Sequence, residues 1–374
     1  MRRGAFNRVS KQASAFWTMP DKPWNVEPYV TQERIRTIHY GIGAIGAEVV
    51  RLCLNRPEIE IVGAIDAHPS KAGLDLGEAA GAGRTLGITV GYDAEPVLKD
   101  VYADVVIHST GSSLMTVYPQ LMSIVSSEKS VISSCEELSF PWLRHPDISR
   151  KLDRRARETG VRVLGTGVNP GFIMDFLPLV LATACQQVRS IRVERVVDVG
   201  SRRVQLQRKV GVGLSVEGFQ RGANDSTIGH VGLRESLLMI ADSMSWRLDD
   251  VQETLEPVVA KARCKTEFFS VERGYVRGLR QSVRGLSAAR EVVRLDLEMS
   301  IGAKEPRDVI TIDGKPPVQV SLAGGLQGDQ ATAAIMTNCI PAIVHSRAVG
   351  LLSMRDMPLL PYLRPRPQPR EEIE

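Results

Sequence analysis

Three polar groups of the chain each come directly after a short apolar run that is typical of a buried strand. Glu136 and Glu137 follow one such run, Asn169 follows another, and Thr110 closes a third. The carboxyl ends of parallel strands lie at one edge of an open α/β sheet, and ligands gather at that edge. The sequence therefore predicts a polar site there, with carboxylates able to accept a proton or to stabilise a cation.

A glycine-rich turn follows the first apolar run. The residues 35–40 lead into Gly41, Gly43 and Gly46, and a helical pattern comes next. In such a turn the first glycine permits a tight bend, the second lets the backbone approach a diphosphate, and the third lets helix and strand pack closely. The helix N-terminus adds amide groups and a positive dipole end. The turn predicts a dinucleotide site, and a plain strand-to-helix turn is the alternative.

A second apolar run begins one helix length later and ends at Asp66. Its carboxylate is spaced to accept hydrogen bonds from an adenosine ribose, so we expect NAD or NADP as the cofactor. Asp66 favours NAD because it repels a 2′-phosphate, whereas His68 and Lys71 can offset that repulsion, and the choice stays open. The predicted cofactor contacts are Gly41, Gly43, Ala44, Ile45, Gly46, Asp66, Lys71, Ser109, Thr110, Gly111 and Asn169.

The other candidate residues have both functional and structural interpretations. Glu136 and Glu137 are placed to move a proton or stabilise a cation near a nicotinamide ring, but acids also favour the start of a helix. Asn169 can hydrogen-bond the nicotinamide or the substrate, or it can simply form an Asn-Pro-Gly turn. His230, in a glycine-flanked loop, is either polar lining or core. The alternation of apolar residues around Arg195 indicates a surface charge on a half-buried strand.

The order of the predicted elements indicates an α/β protein with two domains. Strands and helices alternate from 35 to 166, which predicts a Rossmann-type doubly wound parallel sheet. A C-terminal α+β domain with a mostly antiparallel sheet follows, with a helix at 233–244, a turn at 313–314 and strands at 188–199, 265–269, 292–300, 309–313 and 318–322. The expected divisions are an N-terminal extension (1–34), an NAD(P)-binding domain (35–170), a substrate domain (171–328), a helix returning to the first domain (329–357) and a proline-rich tail (358–374).

The composition argues against several classes of protein. The 374 residues carry a formal charge of +4, and the basic residues are interleaved with acids, which gives no indication of nucleic-acid or membrane binding. The apolar stretch 172–185 is interrupted by Asp175 and Pro178 and is too short to span a bilayer. Five scattered cysteines favour reduced thiols in the cytoplasm over disulfides or a zinc site, and we expect no metal.

Six segments, in the same order along the chain, resemble the 2,4-diaminopentanoate dehydrogenase family and its relatives, the native amine dehydrogenases. The resemblance implies an N-terminal domain similar to that of dihydrodipicolinate reductase, a family-specific C-terminal domain that also forms the dimer contact, and a homodimer. The segments are Gly41-Ile-Gly-Ala-Ile-Gly46, Gly63-Ala-Ile-Asp66, Cys135-Glu-Glu-Leu-Ser-Phe-Pro-Trp142, Gly165-Thr-Gly-Val-Asn-Pro-Gly-Phe172, Thr227-Ile-Gly-His-Val-Gly-Leu233 and Gly328-Asp-Gln-Ala-Thr-Ala333.

The resemblance also implies an activity, which is the reversible NAD(P)-dependent oxidative deamination of a small amine or diamino acid to a ketone and ammonia. The family's catalytic glutamate falls on the Glu-Glu pair, and we favour Glu136 as the group that stabilises the iminium and acts as general base. The implied substrate contacts are Asn169, Pro170, Arg195 and His230.

Two features depart from the family pattern, namely the N-terminal extension and the basic segment 272–290. The arginines of that segment could attract an acidic substrate, but a solvated charged face is the favoured interpretation. Two other functions stay open at this point. One is an NAD(P)-dependent imine or carbonyl reductase of the dihydrodipicolinate reductase type that uses no ammonia, and the other is a non-catalytic dinucleotide sensor.

Overall fold

A computed structural model describes residues 34–358, so the predicted extension and tail lie outside the described residues apart from Arg34 and Pro358. The described strands are β1 (Ile35–Tyr40), β2 (Ile59–Ile65), β3 (Val90–Gly91), β4 (Val105–His108), β5 (Ser130–Ser133), β6 (Arg162–Gly165), β7 (Gln187–Asp198), β8 (Asp250–Val259), β9 (Cys264–Lys265), β10 (Ser270–Val271), β11 (Val276–Ser287), β12 (Arg290–Ser300), β13 (Arg307–Lys315), β14 (Val318–Ala323) and β15 (Gly350–Leu352). The described α-helices are α1 (Ala44–Cys53), α2 (Leu76–Ala79), α3 (Ala94–Asp100), α4 (Leu114–Ser126), α5 (Pro146–Glu158), α6 (Phe176–Ala182), α7 (Val204–Lys209), α8 (Val216–Asn224), α9 (Leu233–Ser243) and α10 (Gly328–Val344).

The first sheet has seven strands in the order β15-β6-β5-β4-β1-β2-β3, and every neighbouring pair is parallel. All residues of β4 and β5 are buried, as expected for central strands that have both faces covered. The strand order reverses between β1 and β4, so the ligand crevice of such a sheet lies beyond the carboxyl ends of these two strands. The predicted doubly wound parallel sheet is confirmed.

The second sheet has six strands in the order β14-β13-β7-β12-β11-β8. Only β7 and β12 run parallel, and the other neighbours are antiparallel, which confirms the mostly antiparallel sheet. Helix α9 packs on β11 and β12 through a buried face that includes Leu237 and Ile240. The opposite side of these strands carries charged side chains, so the sheet has one apolar and one polar face.

The chain then returns to the first sheet. Helix α10 packs against α1 and β5, and β15 pairs with β6 at the edge of the parallel sheet. The loops at the start of α10 are thereby placed beside the loops that follow β5 and β6. Within residues 34–358, no helix has the length and apolar character needed to cross a bilayer.

Several predicted elements were wrong in detail. Of the predicted strand 265–269, only Lys265 lies in a strand, and residues 266–269 form the loop between the two-residue strands β9 and β10. The predicted turn at Asp313-Gly314 lies inside β13, where a register shift accommodates both residues, and the chain reverses after Lys315. Helix α4 begins at Leu114, where the Glu137 carboxylate accepts a hydrogen bond from the Leu114 amide. The basic segment 272–290 contains β11, a strand that the sequence pattern did not reveal.

Candidate active site

The glycine turn between β1 and α1 has the shape that a dinucleotide diphosphate needs. Gly41 has a positive φ of 92°, and a Cβ there would lie 2.6 Å from the carbonyl oxygen of Ser109. A Cβ at Gly46 would overlap the carbonyl oxygen of Gly41, whereas one at Gly43 would meet nothing within 4 Å. Helix α1 starts with no side-chain cap and no acid in its first turn. Its first amide groups are therefore available to an anion, and the turn fits the diphosphate of NAD or NADP.

Asp66 lies beside this turn at the end of β2. One carboxylate oxygen accepts a hydrogen bond of 2.8 Å from the Ile42 amide, and the other accepts one of 2.8 Å from the His68 amide. The Lys71 ammonium donates to the Ile42 carbonyl oxygen. Asp66 thus has the place expected of a group at the adenosine ribose, while the charge of Lys71 is held against the turn.

A cavity of about 420 Å³ opens between the carboxyl ends of the parallel strands and the second sheet. It brings together most of the predicted site residues: Gly43, Ala44, Ile45, Ser109, Thr110, Gly111, Glu136, Asn169, Pro170, Arg195 and His230. Five predicted residues do not line it, namely Gly41, Gly46, Asp66, Lys71 and Glu137. Gly41 and Gly46 shape the turn itself, Asp66 and Lys71 contact the turn at Ile42, and Glu137 points away from the cavity.

Glu136 and Glu137 begin a single turn of 3-10 helix, Glu136–Leu138, and their side chains diverge. Glu136 lines the cavity, and its Oε1 lies 3.5 Å from the Nζ of Lys209 on α7. Glu137 is buried and accepts a hydrogen bond of 2.7 Å from the Leu114 amide. It also lies within 3.4 Å of Arg144 and 3.3 Å of His145. Helix initiation, the structural interpretation of the pair, thus holds for Glu137, and Glu136 is left facing the cavity.

Four buried polar atoms of residues in the cavity wall lack hydrogen-bond partners, namely Oγ1 of Thr166, Oδ1 of Asn169, Nε of Arg202 and Nε2 of His230. Two of them, Oδ1 of Asn169 and Nε2 of His230, belong to residues that the sequence predicted for the site. Burial, aided by the charges of Lys209 and Arg195, lowers the pKa of His230 to about 3, so its ring is neutral. Its backbone is held by Gln281, which accepts from the His230 amide at 2.8 Å and donates to its carbonyl oxygen at 3.0 Å. An unpaired buried polar atom is costly, so both atoms are natural contacts for a bound polar ligand.

Arg195 is not the surface charge that its alternating neighbours indicated. It is 4% exposed and forms an ion pair of 2.6 Å with the fully buried Asp308. It also donates to the Leu326 carbonyl oxygen at 2.7 Å. Burial lowers the pKa of Arg195, and the Asp308 carboxylate opposes that effect. Most of its donors are therefore committed to the protein, and the cavity meets the remaining edge of the guanidinium.

Sequence reasoning missed a set of polar residues in the cavity wall. They come from the segment that precedes and includes α7 and from the start of α10: Arg202, Arg203, Gln205, Lys209, Asp329 and Thr332. Helix α7 has six residues and no clear periodicity, so no sequence signal placed it near the site. The segment Gly328–Ala333 was identified as a family motif but not as cavity lining. Among the described residues, no group of histidines, cysteines and acids is arranged to hold a metal ion.

The comparisons with known proteins cover nearly the whole chain. Residues 172–365 match the 2,4-diaminopentanoate dehydrogenase C-terminal domain, and residues 35–134 match the N-terminus of dihydrodipicolinate reductase. The chain is 31% identical over 335 residues to the 2,4-diaminopentanoate dehydrogenase of Acetoanaerobium sticklandii, which covers 87% of this chain and 94% of that protein. It is 22% identical over 356 residues to an amine dehydrogenase of Streptomyces virginiae, with 88% and 98% covered.

Solved structures agree with this. The structure of an amine dehydrogenase from Mycobacterium smegmatis superposes with a TM-score of 0.79 at 25% identity, covering 88% of this chain and 97% of that one. GenD2 from gentamicin A biosynthesis, solved in complex with NAD, has a TM-score of 0.54 at 13% identity over 87% of this chain and 90% of its own, and it shares the fold alone.

Proposed function

The chain belongs to the 2,4-diaminopentanoate dehydrogenase family, and we propose that it catalyses the reversible oxidative deamination of a small amine or diamino acid to a ketone and ammonia. It is an NAD(P)-dependent oxidoreductase that acts on amine groups. The observation that carries the proposal is the placement of Glu136. This carboxylate faces a cavity that also contains the diphosphate-binding turn and two unpaired polar atoms, those of Asn169 and His230.

The bound nicotinamide would supply the chemistry of hydride transfer to and from the substrate carbon. Glu136 stabilises the iminium cation that the amine becomes when its carbon loses a hydride. The same carboxylate then takes a proton from the water that attacks the iminium carbon, and this proton leaves with ammonia. Lys209 lies 3.5 Å from Glu136 Oε1 and holds the carboxylate in the cavity.

The unpaired atoms of Asn169 and His230 orient the bound substrate and nicotinamide. Oδ1 of Asn169 is an acceptor and suits an N–H of the substrate amine or of the nicotinamide carboxamide. Nε2 of the neutral His230 can accept from or donate to the substrate, depending on its tautomer. Holding the reacting groups in place in this way is a large part of what an active site contributes to rate.

The test of the proposal is reductive amination with a panel of ketones, each with and without ammonia and with NADH or NADPH. We expect cofactor oxidation only when both ketone and ammonia are present. Oxidation without ammonia would instead support an imine or carbonyl reductase and would overturn the proposed reaction.

Two variants test the assignment of the glutamate. Glu136→Gln keeps the side-chain volume but removes the charge, and we expect the ammonia-dependent kcat to fall by at least 100-fold, in the range usual for loss of a general base. Glu137→Gln is the matched control, because Glu137 does not line the cavity. The loss of its charge weakens the contacts with Arg144 and His145, so we expect lower stability and a much smaller fall in kcat than for Glu136→Gln. If Glu137→Gln abolished the rate while Glu136→Gln kept it, the assignment would be wrong.

Two finer features belong to the same proposal. We expect a homodimer, which size-exclusion chromatography with light scattering can measure. We also expect a cytoplasmic location, which is supported by the five cysteines, all of them free thiols in the described residues.

A further inference from the structure

Arg202 is a buried cation in the cavity wall whose hydrogen bonds are incomplete. Its side chain is 9% exposed, and its Nε has no hydrogen-bond partner. Its Nη2 lies 2.9 Å from Oδ1 of Asp329, a carboxylate that is itself 28% exposed. Gly328 makes room for the guanidinium, since a Cβ there would lie 2.8 Å from Nη2. A guanidinium donates through a fork of N–H groups, and here part of that fork is unused.

The charges around Arg202 do not balance. Four cations line the cavity, namely Arg195, Arg202, Arg203 and Lys209, and two carboxylates face them. Asp308 supplies a third carboxylate behind Arg195, and Glu136 is the partner of Lys209. Arg202 and Arg203 are left to share Asp329, at 2.9 Å and 3.7 Å. Because His230 is neutral, the cluster carries one excess positive charge that one anionic group would compensate.

We propose that Arg202, with Arg203 beside it, is an oxyanion-binding subsite of the cavity, in which a ligand carboxylate or phosphate completes the hydrogen bonds of the Arg202 guanidinium. Asp329 is the counter-ion that holds the two arginines before the ligand arrives. Arginine suits this role because its planar fork matches both kinds of oxyanion. The subsite rests on the proposed function, in that the cavity is taken to be the active site.

Two sources of the oxyanion are compatible with the cavity. One is a carboxylate of the amine or ketone substrate, and the other is a phosphate of the cofactor, whose glycine turn lines the same cavity. Arg195 donates to the Leu326 carbonyl oxygen, and the Arg202 guanidinium lies against Gly328, so both guanidiniums contact one short segment at the start of α10. Arg195 and His230 line the same cavity. This places Arg202 with the polar groups of the proposed substrate end and favours the carboxylate.

The experiment compares Arg202→Met with the wild type in three measurements. The first is the dissociation constant of NADH from a fluorescence titration. The second is kcat/KM for 4-oxopentanoate with ammonia, and the third is kcat/KM for pentan-2-one, which has the same chain length and no charge. A carboxylate subsite predicts a loss of 10-fold or more for 4-oxopentanoate alone, the scale of one charge-assisted hydrogen bond. A phosphate subsite predicts a 10-fold or larger rise in the NADH dissociation constant.

Unchanged values for NADH and for 4-oxopentanoate would overturn the subsite. So would an equal loss for the two ketones with unchanged NADH binding, because that pattern indicates a general disturbance of the cavity. Arg202→Lys keeps the charge and should restore part of the loss, which separates recognition from folding. Asp329→Asn removes the competing carboxylate and should tighten binding of the same anion.

Arg192→Met is the matched control, since Arg192 is 52% exposed and pairs with Asp296 on the polar face of the second sheet. It should change none of the three measurements. If no ketone is turned over by the wild type, the proposed function fails, and the subsite is still tested by thermal shift. Acetate or inorganic phosphate should then raise the Tm of the wild type and not that of Arg202→Met, and equal shifts in the two proteins would count against the subsite.

Discussion

Gly43 and Gly46 are three residues apart in one turn, but they have opposite surroundings. The side of Gly43 is open towards the cavity, while a Cβ at Gly46 would overlap the Gly41 carbonyl oxygen. We therefore expect Gly43→Ala to lower the free energy of unfolding by no more than about 1 kcal/mol, because the added methyl group meets no atom and the only cost is that alanine is a poorer N-cap residue than glycine. Its NADH affinity should fall at least 10-fold, because the methyl group occupies the approach of the diphosphate.

For Gly46→Ala we expect the main loss in the free energy of unfolding, with the loss of NADH affinity as its consequence. The clash is with backbone, which cannot move aside as a flexible side chain would, so we expect a loss of about 2 kcal/mol or more in urea unfolding. NADH binding then weakens because the turn itself is displaced. Equal stability of the two variants would contradict the division of roles between these glycines.

Asp66 allows a prediction about the choice of cofactor. Its carboxylate is at the adenosine side of the turn, and Lys71, the nearby cation, is already bonded to the Ile42 carbonyl oxygen. A 2′-phosphate would therefore meet an uncompensated negative charge. We expect the wild type to bind NADH at least 10-fold more tightly than NADPH, and Asp66→Ser to reduce that ratio, as measured by fluorescence titration of both nucleotides. Preferential binding of NADPH by the wild type would contradict this.

The sequence was enough to place some site residues and not others. Glu136, Asn169 and Thr110 follow buried strands, and the topology of a parallel sheet brings strand ends together without any knowledge of side-chain contacts. Which of two adjacent glutamates faces the cavity depends on partners elsewhere in the chain, such as Arg144, so the pattern could not decide it. Arg202 could not be predicted either, since its role comes from burial beside Asp329 and not from its neighbours in sequence.

At the scale of elements, helix α9 contacts two of the loops that carry the candidate site, those of Glu136 and Asn169. Its Glu235 is fully buried and lies 3.0 Å from Arg144, which also contacts Glu137. The next residue, Ser236, donates at 2.8 Å to Asp175, and Asp175 accepts from the Gly171 amide at 2.7 Å. The contacts of Glu235 with Arg144 and of Arg144 with Glu137 link α9 to the loop of Glu136. The hydrogen bonds of Asp175 link it to the loop of Asn169. These contacts fasten both loops to the same helix.

Arg144 is the exposed member of this set and gives a clean test. Arg144→Met leaves the buried Glu235 carboxylate without its cation, and burial already raises the pKa of that carboxyl. We expect a loss of about 2 kcal/mol in stability, less than for a wholly buried pair because Arg144 is 43% exposed. The kcat of reductive amination should also fall, with little change in KM for the ketone, as Glu136 loses its fixed position.

Arg150→Met is the control for this variant. Arg150 pairs with Asp147 on the solvent face of α5, where both side chains are more than half exposed. Such a pair contributes about 0.5 kcal/mol or less, so urea unfolding should detect almost no change. Similar losses of stability in Arg144→Met and Arg150→Met would indicate that the contact between Arg144 and Glu235 of α9 contributes no more to stability than a surface ion pair does.

Strands and helices could be predicted from the sequence where burial alone requires apolar residues at their positions. The strands β1, β2, β4, β5 and β6 are short apolar runs because both of their faces are covered. By contrast, β8 and β11 carry many arginines and glutamates on the polar face of the second sheet. These charged residues obscure the alternation of apolar and polar residues that would identify a strand in the sequence. Helix α7 is too short to show a period.

At the scale of the whole molecule, the proposed active site depends on the return of the chain from the second sheet to the first. The cavity takes the glycine turn and Glu136 from the first sheet, Arg195 and His230 from the second, and Thr332 from α10. Thr332 accepts a hydrogen bond of 3.1 Å from the Val168 amide, next to Asn169. A substrate bound as proposed would therefore be contacted by segments that are far apart in sequence, and the two sheets must fold together before the cavity exists.

Three histidines with lowered pKa values make the stability of the protein depend on pH. Burial lowers the pKa of His39 to about 3, of His108 to about 4 and of His230 to about 3. The unfolded chain binds a proton at each one below about pH 6.5, whereas the folded protein does not until about pH 3 to 4. The contribution of these histidines to the free energy of unfolding is therefore fully present well above pH 6.5. It decreases as the pH falls from there towards the pKa values of the folded protein. Each histidine contributes up to about 1.4 kcal/mol per pH unit, so we expect a loss of about 3–4 kcal/mol between pH 6 and pH 5.

His39→Gln removes one of the three histidines and with it about one third of the expected pH dependence of stability. His39 lies inside β1, away from the cavity, and its ring contacts the hydroxyl of Thr37 at 3.3 Å, so glutamine can keep a polar contact there. Urea unfolding at pH 7, 6 and 5 should give a pH slope about one third shallower than that of the wild type, whatever the stability at pH 7. An unchanged slope would mean that His39 takes up its proton in the folded state, which requires water to reach the interior of the parallel sheet near neutral pH.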